Sequence, residues 1–330
     1  MGVMNVRRRL IPTAATAGAV ALGLMAVSAC SSSDAAPKNS GGKLDVVASF
    51  YPMQYLAEEI GGDHVSVSTL TKPGVEPHDL ELSPKETAGL GEADFILYLK
   101  GLQPAVDEAV AQSGVKHTVD AAALTHLEKH GEEHGEHGEE HGAEEHSEEE
   151  EHGHDEAAGD PHIWLDPVKY AEVAKGVGKA LEKADPDNAA AYKKNTEDLV
   201  GKLDGLHAKF DKGLKNAGTK TFITTHSAFG YLAERYGLEQ EGISGLDPDS
   251  EPSPARMKEL QKVAKDDKVT TVFFETLVSD KTAKTLAGDT GLKTDVLDPL
   301  EGITDKSKGD DYIEVMESNL TALEKALGAK

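Results

Sequence analysis

The fourteen histidines of this 330-residue chain fall into two sets with different chemistry. Eight of them, His126, His130, His134, His137, His141, His146, His152 and His154, lie in the single run HLEKHGEEHGEHGEEHGAEEHSEEEEHGH. Imidazole and carboxylate are ligands for zinc and its neighbours, and a stretch of glutamate, glycine and histidine has nothing to bury in a core. The run reads as a disordered surface insertion over 126–160 that captures divalent metal through several weak accessory sites without folding first. The run matches the H-x-x-E-H peptidase pattern at His130–His134 and His137–His141. That chemistry needs two histidines one turn apart on a rigid helix, and the recurring glycines and missing apolar face make the match a by-product of composition.

The remaining histidines are His64, His78, His117, His162, His207 and His226. Three of them stand among turn-forming or polar residues that read as strand-to-loop positions: His78 in PGVEPHD, His162 in DPHIWLDP and His226 in TTHSAFG. Strand carboxyl ends face the ligand crevice in open α/β sheets, so these three are able to converge. His64, His117 and His207 read as structural or surface residues.

The elements needed to position them follow from pattern. Strand signals over 44–50, 65–70, 95–99 and 117–119 alternate with helical ones near 53–60, 85–90 and 103–113, which predicts a parallel sheet. Asp166-Pro167 suits a helix start, with a helix running to residue 184. From Pro186 to about residue 217, Tyr192, Leu199, Leu203, Leu206 and Phe210 recur at helical spacing with charged residues between them. A second α/β unit follows, with strands at 221–225, 270–274 and 294–297 and helices at 228–236, 253–265, 281–288 and 312–327. The expected fold is α/β, two Rossmann-like lobes with parallel sheets joined by one long rigid helix. Its expected domains are an N-terminal lobe over 43–185 that carries the insertion, a linking helix over 186–217 and a C-terminal lobe over 218–330.

The formal charge of −25 is unevenly spread. Residues 127–160 hold fifteen Asp/Glu and one Lys, which leaves the rest at −11, close to an ordinary soluble protein. Lacking a basic patch to displace phosphate counterions, the chain is not expected to bind nucleic acid. Arg7, Arg8 and Arg9 followed by an apolar run over 10–27 form a signal peptide over 1–30. That segment closes on Val27-Ser28-Ala29-Cys30, which resembles the lipobox of bacterial lipoproteins, where the cysteine is lipidated. Cys30 is the sole cysteine, so neither an intrachain disulfide nor a cysteine metal site is available. Residues 31–42 read as a flexible tether.

Four segments, GVEPHDLELSP (74–84), DPHIWLDP (160–167), THSAFGYLAERYGL (225–238) and VLDPLEG (296–302), occur in an order that resembles the metal-binding lipoproteins of bacterial ABC importers, in their zinc-specific branch. The insertion also stands where zinc members of that family carry one. The resemblance implies His78, His162 and His226 as zinc ligands and Glu301 as a carboxylate ligand, with Glu76 and Glu275 as rival carboxylates. Manganese-selective relatives carry an acidic residue where this chain has His226. Asp79, Asp160 and Asp166 are candidates to accept the second ring N–H of a ligand histidine, and Trp164 to pack beneath the centre. The implied function is extracytoplasmic capture of Zn2+ and its delivery to an ABC permease by a monomer held on the outer face of the membrane by a lipid. Alternatives are a surface zinc scavenger or adhesin without a transporter, and a zinc hydrolase. A closed four-ligand set without a separate general base makes the hydrolase the poorest of them.

Overall fold

Two four-stranded parallel sheets carry the fold, and each is wound in the same order. The structure, a computed structural model, describes residues 41–130 and 159–329. The first sheet is built from β1 (Leu44–Ala48), β2 (Val65–Thr69), β3 (Phe95–Tyr98) and β4 (Thr118–Asp120), in spatial order β2-β1-β3-β4. Helices α1 (Tyr51–Gly61), α2 (Pro84–Leu90) and α3 (Pro104–Ser113) make its crossovers. The second sheet contains β5 (Thr221–Thr224), β6 (Glu239–Gly242), β7 (Thr271–Phe274) and β8 (Lys293–Val296), in order β6-β5-β7-β8. Its helices are α6 (Gly230–Tyr236), α7 (Pro254–Asp266) and α8 (Lys281–Thr290), and α9 (Tyr312–Leu327) follows β8. Between the sheets run α4 (Pro167–Ala184) and the 26-residue α5 (Ala189–Leu214).

Local chemistry sets most boundaries. Proline opens α2, α3, α4 and α7, where its missing N–H removes nothing from the helix. Asp166 caps α4 through Val168 N–H at 2.9 Å, and Ser83 and Glu86 form a reciprocal capping box on α2. The long helix is shorter than its apolar pattern predicts: residues 186–188 form a separate 3-10 turn, and the helix stops at Leu214. Its buried stripe is Tyr192, Thr196, Leu199, Leu203, Leu206, Phe210 and Leu214. Gly178 lets α4 approach it, because a Cβ there would lie 2.2 Å from Thr196 Oγ1. The strand absent from the sequence reading is β6, Glu-Gln-Glu-Gly, an edge strand with no apolar alternation to reveal it.

One hydrophobic core runs through both halves. Leu44, Phe95 and Trp164 belong to the same buried cluster as Phe210, Phe273, Leu297 and Tyr312. Tyr170 donates to the Pro52 carbonyl at 2.6 Å and packs at a tilt against the Tyr312 ring, tying α4 to α1 and α9. A shared core of this kind resists wide hinge opening, because separating the halves would expose large aromatic side chains to water. Among the described residues no helix is long and apolar enough to cross a membrane. The signal peptide, Cys30 and most of the tether lie outside the described residues, as do His134, His137, His141, His146, His152 and His154.

Candidate metal centre

The centre gathers at the carboxyl ends of the strands. His78 lies on the loop between β2 and α2, His226 two residues beyond β5, and Glu301 on the segment between β8 and α9. His162 arrives differently from the strand-end position expected for it. It precedes a one-turn 3-10 helix (Ile163–Leu165) that leads into α4. The four side chains offer ligand atoms that all lie within 4.8 Å of one another.

The distances are specific. Nε2 of His78, His162 and His226 stand 3.3, 3.4 and 3.3 Å from a single oxygen, Glu301 Oε1. Bonds of about 2.0–2.1 Å from zinc to three nitrogens and one oxygen give a tetrahedron whose edge is about 3.3–3.4 Å. These three separations therefore match edges of such a polyhedron. Nε2 of His162, Nε2 of His226 and Glu301 Oε2 are buried without hydrogen-bond partners. Orphaned polar atoms of this kind cost about 1–3 kcal/mol each, and a cation among them would remove that cost. The donor set, three imidazoles and one carboxylate, fits Zn2+.

Each support explains why its ligand points inward. Asp160 Oδ1 accepts both the backbone N–H of His162 at 2.9 Å and its ring Nδ1–H at 2.7 Å, which leaves Nε2 for the centre. His226 Nδ1 donates to Glu275 Oε1 at 2.8 Å. Glu275 follows β7 and His226 follows β5, the two strands that flank the point where the order of the second sheet reverses. Glu275 is thus placed to orient a ligand, whereas the sequence offers it only as a rival ligand. The available signal is an acid directly after the Phe-Phe end of a strand. Glu76, the other rival, accepts the backbone N–H of His78 at 3.0 Å and so shapes that loop.

Glu301 is presented by a held turn. Leu300 adopts φ of 59°, a left-handed conformation that costs a non-glycine residue roughly 1–3 kcal/mol. Asp298 Oδ1 accepts the Leu300 N–H at 2.9 Å, Asn319 bonds the Asp298 backbone through both N–H and carbonyl, and Trp164 Nε1 donates to the Pro299 carbonyl at 2.7 Å. Trp164 packs beside His162, with centroids 5.1 Å apart, as expected for a residue beneath the centre. Two other expectations fail. Asp166 accepts from Arg235 and caps α4, and Asp79 bonds Glu76 through its backbone, so neither orients a ligand histidine.

The electrostatics follow from burial among charges. Burial alone would push His162 and His226 toward the neutral form. Asp160 and Glu301 outweigh it at His162, and Glu275 and Glu301 at His226, so both rise above the ordinary histidine value of 6.5. Burial would raise Glu301, but His226 and the other two imidazoles hold its carboxyl well below the ordinary range. The site is therefore poised to exchange protons for a cation.

The other histidines lie apart. His64 packs edge-on against Tyr192, and His207 Nδ1 lies 3.1 Å from the Tyr236 hydroxyl. At the root of the insertion, composition is misleading. Residues 126–130 and 159–160 belong by composition to the disordered stretch expected over 126–160, yet they are held in place. The Asp160 N–H donates to the Glu128 carbonyl at 2.7 Å, and Lys169 Nζ donates to the His126 carbonyl at 2.8 Å. His126 joins none of the potential metal-ligating groups among the described residues, whereas His130 joins one with Glu128 and Glu234.

Comparison with known proteins follows the geometry. The family described as "ZnuA: Zinc-uptake complex component A periplasmic" matches residues 46–326. The high-affinity zinc uptake system protein ZnuA of Bacillus subtilis (strain 168) is 38% identical over 323 residues, 94% of this chain and 97% of that protein. Zinc-binding lipoprotein AdcA of Streptococcus pneumoniae serotype 4 is 37% identical over 289 residues, 87% of this chain but only 56% of that longer relative. The solved Zn(II)-bound ZnuA-like domain of Streptococcus pneumoniae AdcA superposes with a TM-score of 0.70 at 34% identity, covering 87% of this chain and 99% of that one.

Proposed function

This chain belongs to the ZnuA family of periplasmic zinc-uptake complex components, and on that premise we propose that it captures Zn2+ through His78, His162, His226 and Glu301. It is an extracytoplasmic solute-binding protein, not an enzyme, and its cargo passes to an ABC-type permease. The adhesin alternative is not favoured, because the family and the relatives at 37–38% identity are named for zinc uptake or zinc binding. The observation that carries the ligand assignment is the set of three imidazole nitrogens 3.3–3.4 Å from one buried carboxylate oxygen.

Three nitrogens and one oxygen favour zinc over manganese, which takes more oxygen and higher coordination. The shared core limits movement of the halves, so release proceeds through a local shift of one ligand and its loop. The histidine tract acts as an accessory that raises zinc concentration near the centre. The protein works as a monomer, with Cys30 lipidated and anchoring it to the outer face of the membrane.

Zinc uptake by cells lacking this chain tests the reading. Under chelator-imposed zinc limitation, the wild-type chain restores accumulation of radioactive zinc, and His226→Ala does not. Restoration by His226→Ala to the wild-type rate would overturn the ligand assignment. Uptake that never depends on the chain would leave a surface scavenger. Cys30→Ala is expected to move the protein from the membrane fraction to the medium, and retention would refute the anchor.

A further inference from the structure

The foot of the histidine tract is built, and it is wired to the main centre. His130 is packed edge-on against Tyr231, with centroids 4.5 Å apart, and its side chain is only 18% exposed. Gly230, the first residue of α6, makes this possible: a Cβ there would stand 2.5 Å from His130 Cβ and Cγ. Asp160 Oδ2 lies 3.0 Å from His130 Nδ1, and Glu234 Oε2 lies 3.1 Å from its Nε2. Glu128 completes the group, with one ligand atom from each of the three side chains lying within 4.8 Å of the others. The Glu128 backbone is fixed by the Tyr231 hydroxyl, which accepts its N–H at 2.8 Å, and its carboxylate also meets Lys169 Nζ at 2.8 Å.

We propose that Glu128, His130 and Glu234 form a second divalent-cation site, of the zinc class, at the fixed foot of the tract. Asp160 fixes the tautomer by accepting the hydrogen bond from His130 Nδ1–H, so His130 Nε2 faces the two carboxylates as a ligand. This is the carboxylate–histidine–metal arrangement that orients zinc ligands elsewhere. One imidazole and two glutamates leave open positions for water, which suits a site that exchanges its ion. Lys169 pairs with Glu128 and His130 Nε2 with Glu234, and a divalent ion between them would serve both carboxylates at once.

Asp160 also gives the site a connection. Its Oδ1 holds His162 Nδ1–H at 2.7 Å while its Oδ2 holds His130 Nδ1 at 3.0 Å. One buried carboxylate thus orients a histidine of each site. A cation on His130 Nε2 makes the Nδ1 proton more acidic and draws on the charge that Asp160 shares with His162. The two occupancies are therefore coupled, and the coupling must be reciprocal. This last step rests on the proposed main centre, whereas the second site stands on its own residues.

Crystals of the full chain soaked in zinc chloride, with anomalous data on both sides of the zinc edge, read both sites in one map. The expected result is a peak bonded to His130 Nε2 and a Glu128 or Glu234 oxygen, besides one among His78, His162, His226 and Glu301. A main-centre peak with none at His130 overturns the second site alone. A His130 peak with an empty main centre upholds the second site and overturns the main assignment. In solution, His130→Gln and Glu234→Gln in the full chain should each remove one zinc equivalent in equilibrium dialysis while the tightest equivalent is still bound. Unchanged stoichiometry in both overturns the proposal. Asp160→Asn should weaken both sites about 10–100-fold, and an unaltered affinity at either would refute the shared carboxylate.

Discussion

His162, His226 and Glu301 on one side and the His78 loop on the other contribute to the same centre with different support. The first three are no more than 2% exposed, and each histidine among them is braced by a buried carboxylate, Asp160 or Glu275. The side chain of His78 is 12% exposed and sits on the long segment between β2 and α2, where Glu76 bonds its backbone and, among the described residues, Glu301 is the carboxylate seen bonding its ring. A rigid half-shell completed by one loop ligand is a way to combine tight capture with release. Under the proposed ligand assignment, the buried side would set the geometry and the loop side would provide the path in and out.

The sharpest way to break this contrast is to delete ligands from each side. His162→Ala or His226→Ala should reduce zinc affinity by more than about 100-fold, beyond the range of an orienting-residue substitution. His78→Ala should also lose the tight site but fall less far, because three preorganised ligands and a water remain. Equal losses in competition titrations would erase the distinction between loop and shell. Next in size, Glu275→Gln should cost about 10–100-fold in affinity, with the fold intact by circular dichroism. A neutral outcome would mean that packing alone orients His226.

A pH series sharpens the same comparison. His162 and His226 bind protons more tightly folded than unfolded, both being raised above 6.5. In the zinc-free protein they contribute stability that is complete below about pH 6.5 and is lost as pH rises through their folded values. Zinc has to displace those protons, so its affinity should climb over the same window, by up to about two decades per pH unit if both are released. Melting curves and zinc competition at stepped pH check both slopes. Affinity that is flat above pH 6.5 would mean that these two histidines are already neutral. The smallest effect expected is from deleting residues 131–158, which should leave the tight site within about twofold, since none of its ligands lies there.

Much of the fold was legible because apolar periodicity reports burial. Strands such as Phe-Ile-Leu-Tyr at 95–98 and the stripe from Tyr192 to Leu214 declare themselves. The polar edge strand Glu239–Gly242 does not, because pairing with β5 places it without demanding apolar side chains. Residue type and motif pointed to His78, His162, His226 and Glu301, whose potential ligand atoms lie within 4.8 Å of one another. What sequence could not separate was which acid supports which ring. Asp79, Asp160 and Asp166 looked equivalent beside histidines, and only Asp160 reaches one. Glu275 supports His226 from 49 residues away, a relation that chain distance conceals. Composition also hid the ordered foot of the tract, where packing on Tyr231 and the gap left by Gly230 fix His130.

The central claim is one tight zinc held by four convergent side chains independently of the tract. Calorimetric titration of zinc into residues 43–330 lacking 131–158, beside the same protein carrying His226→Ala, tests it most directly. The account predicts one tight equivalent in the first and none in the second. Absence of tight binding in the first, or its survival in the second, would contradict it.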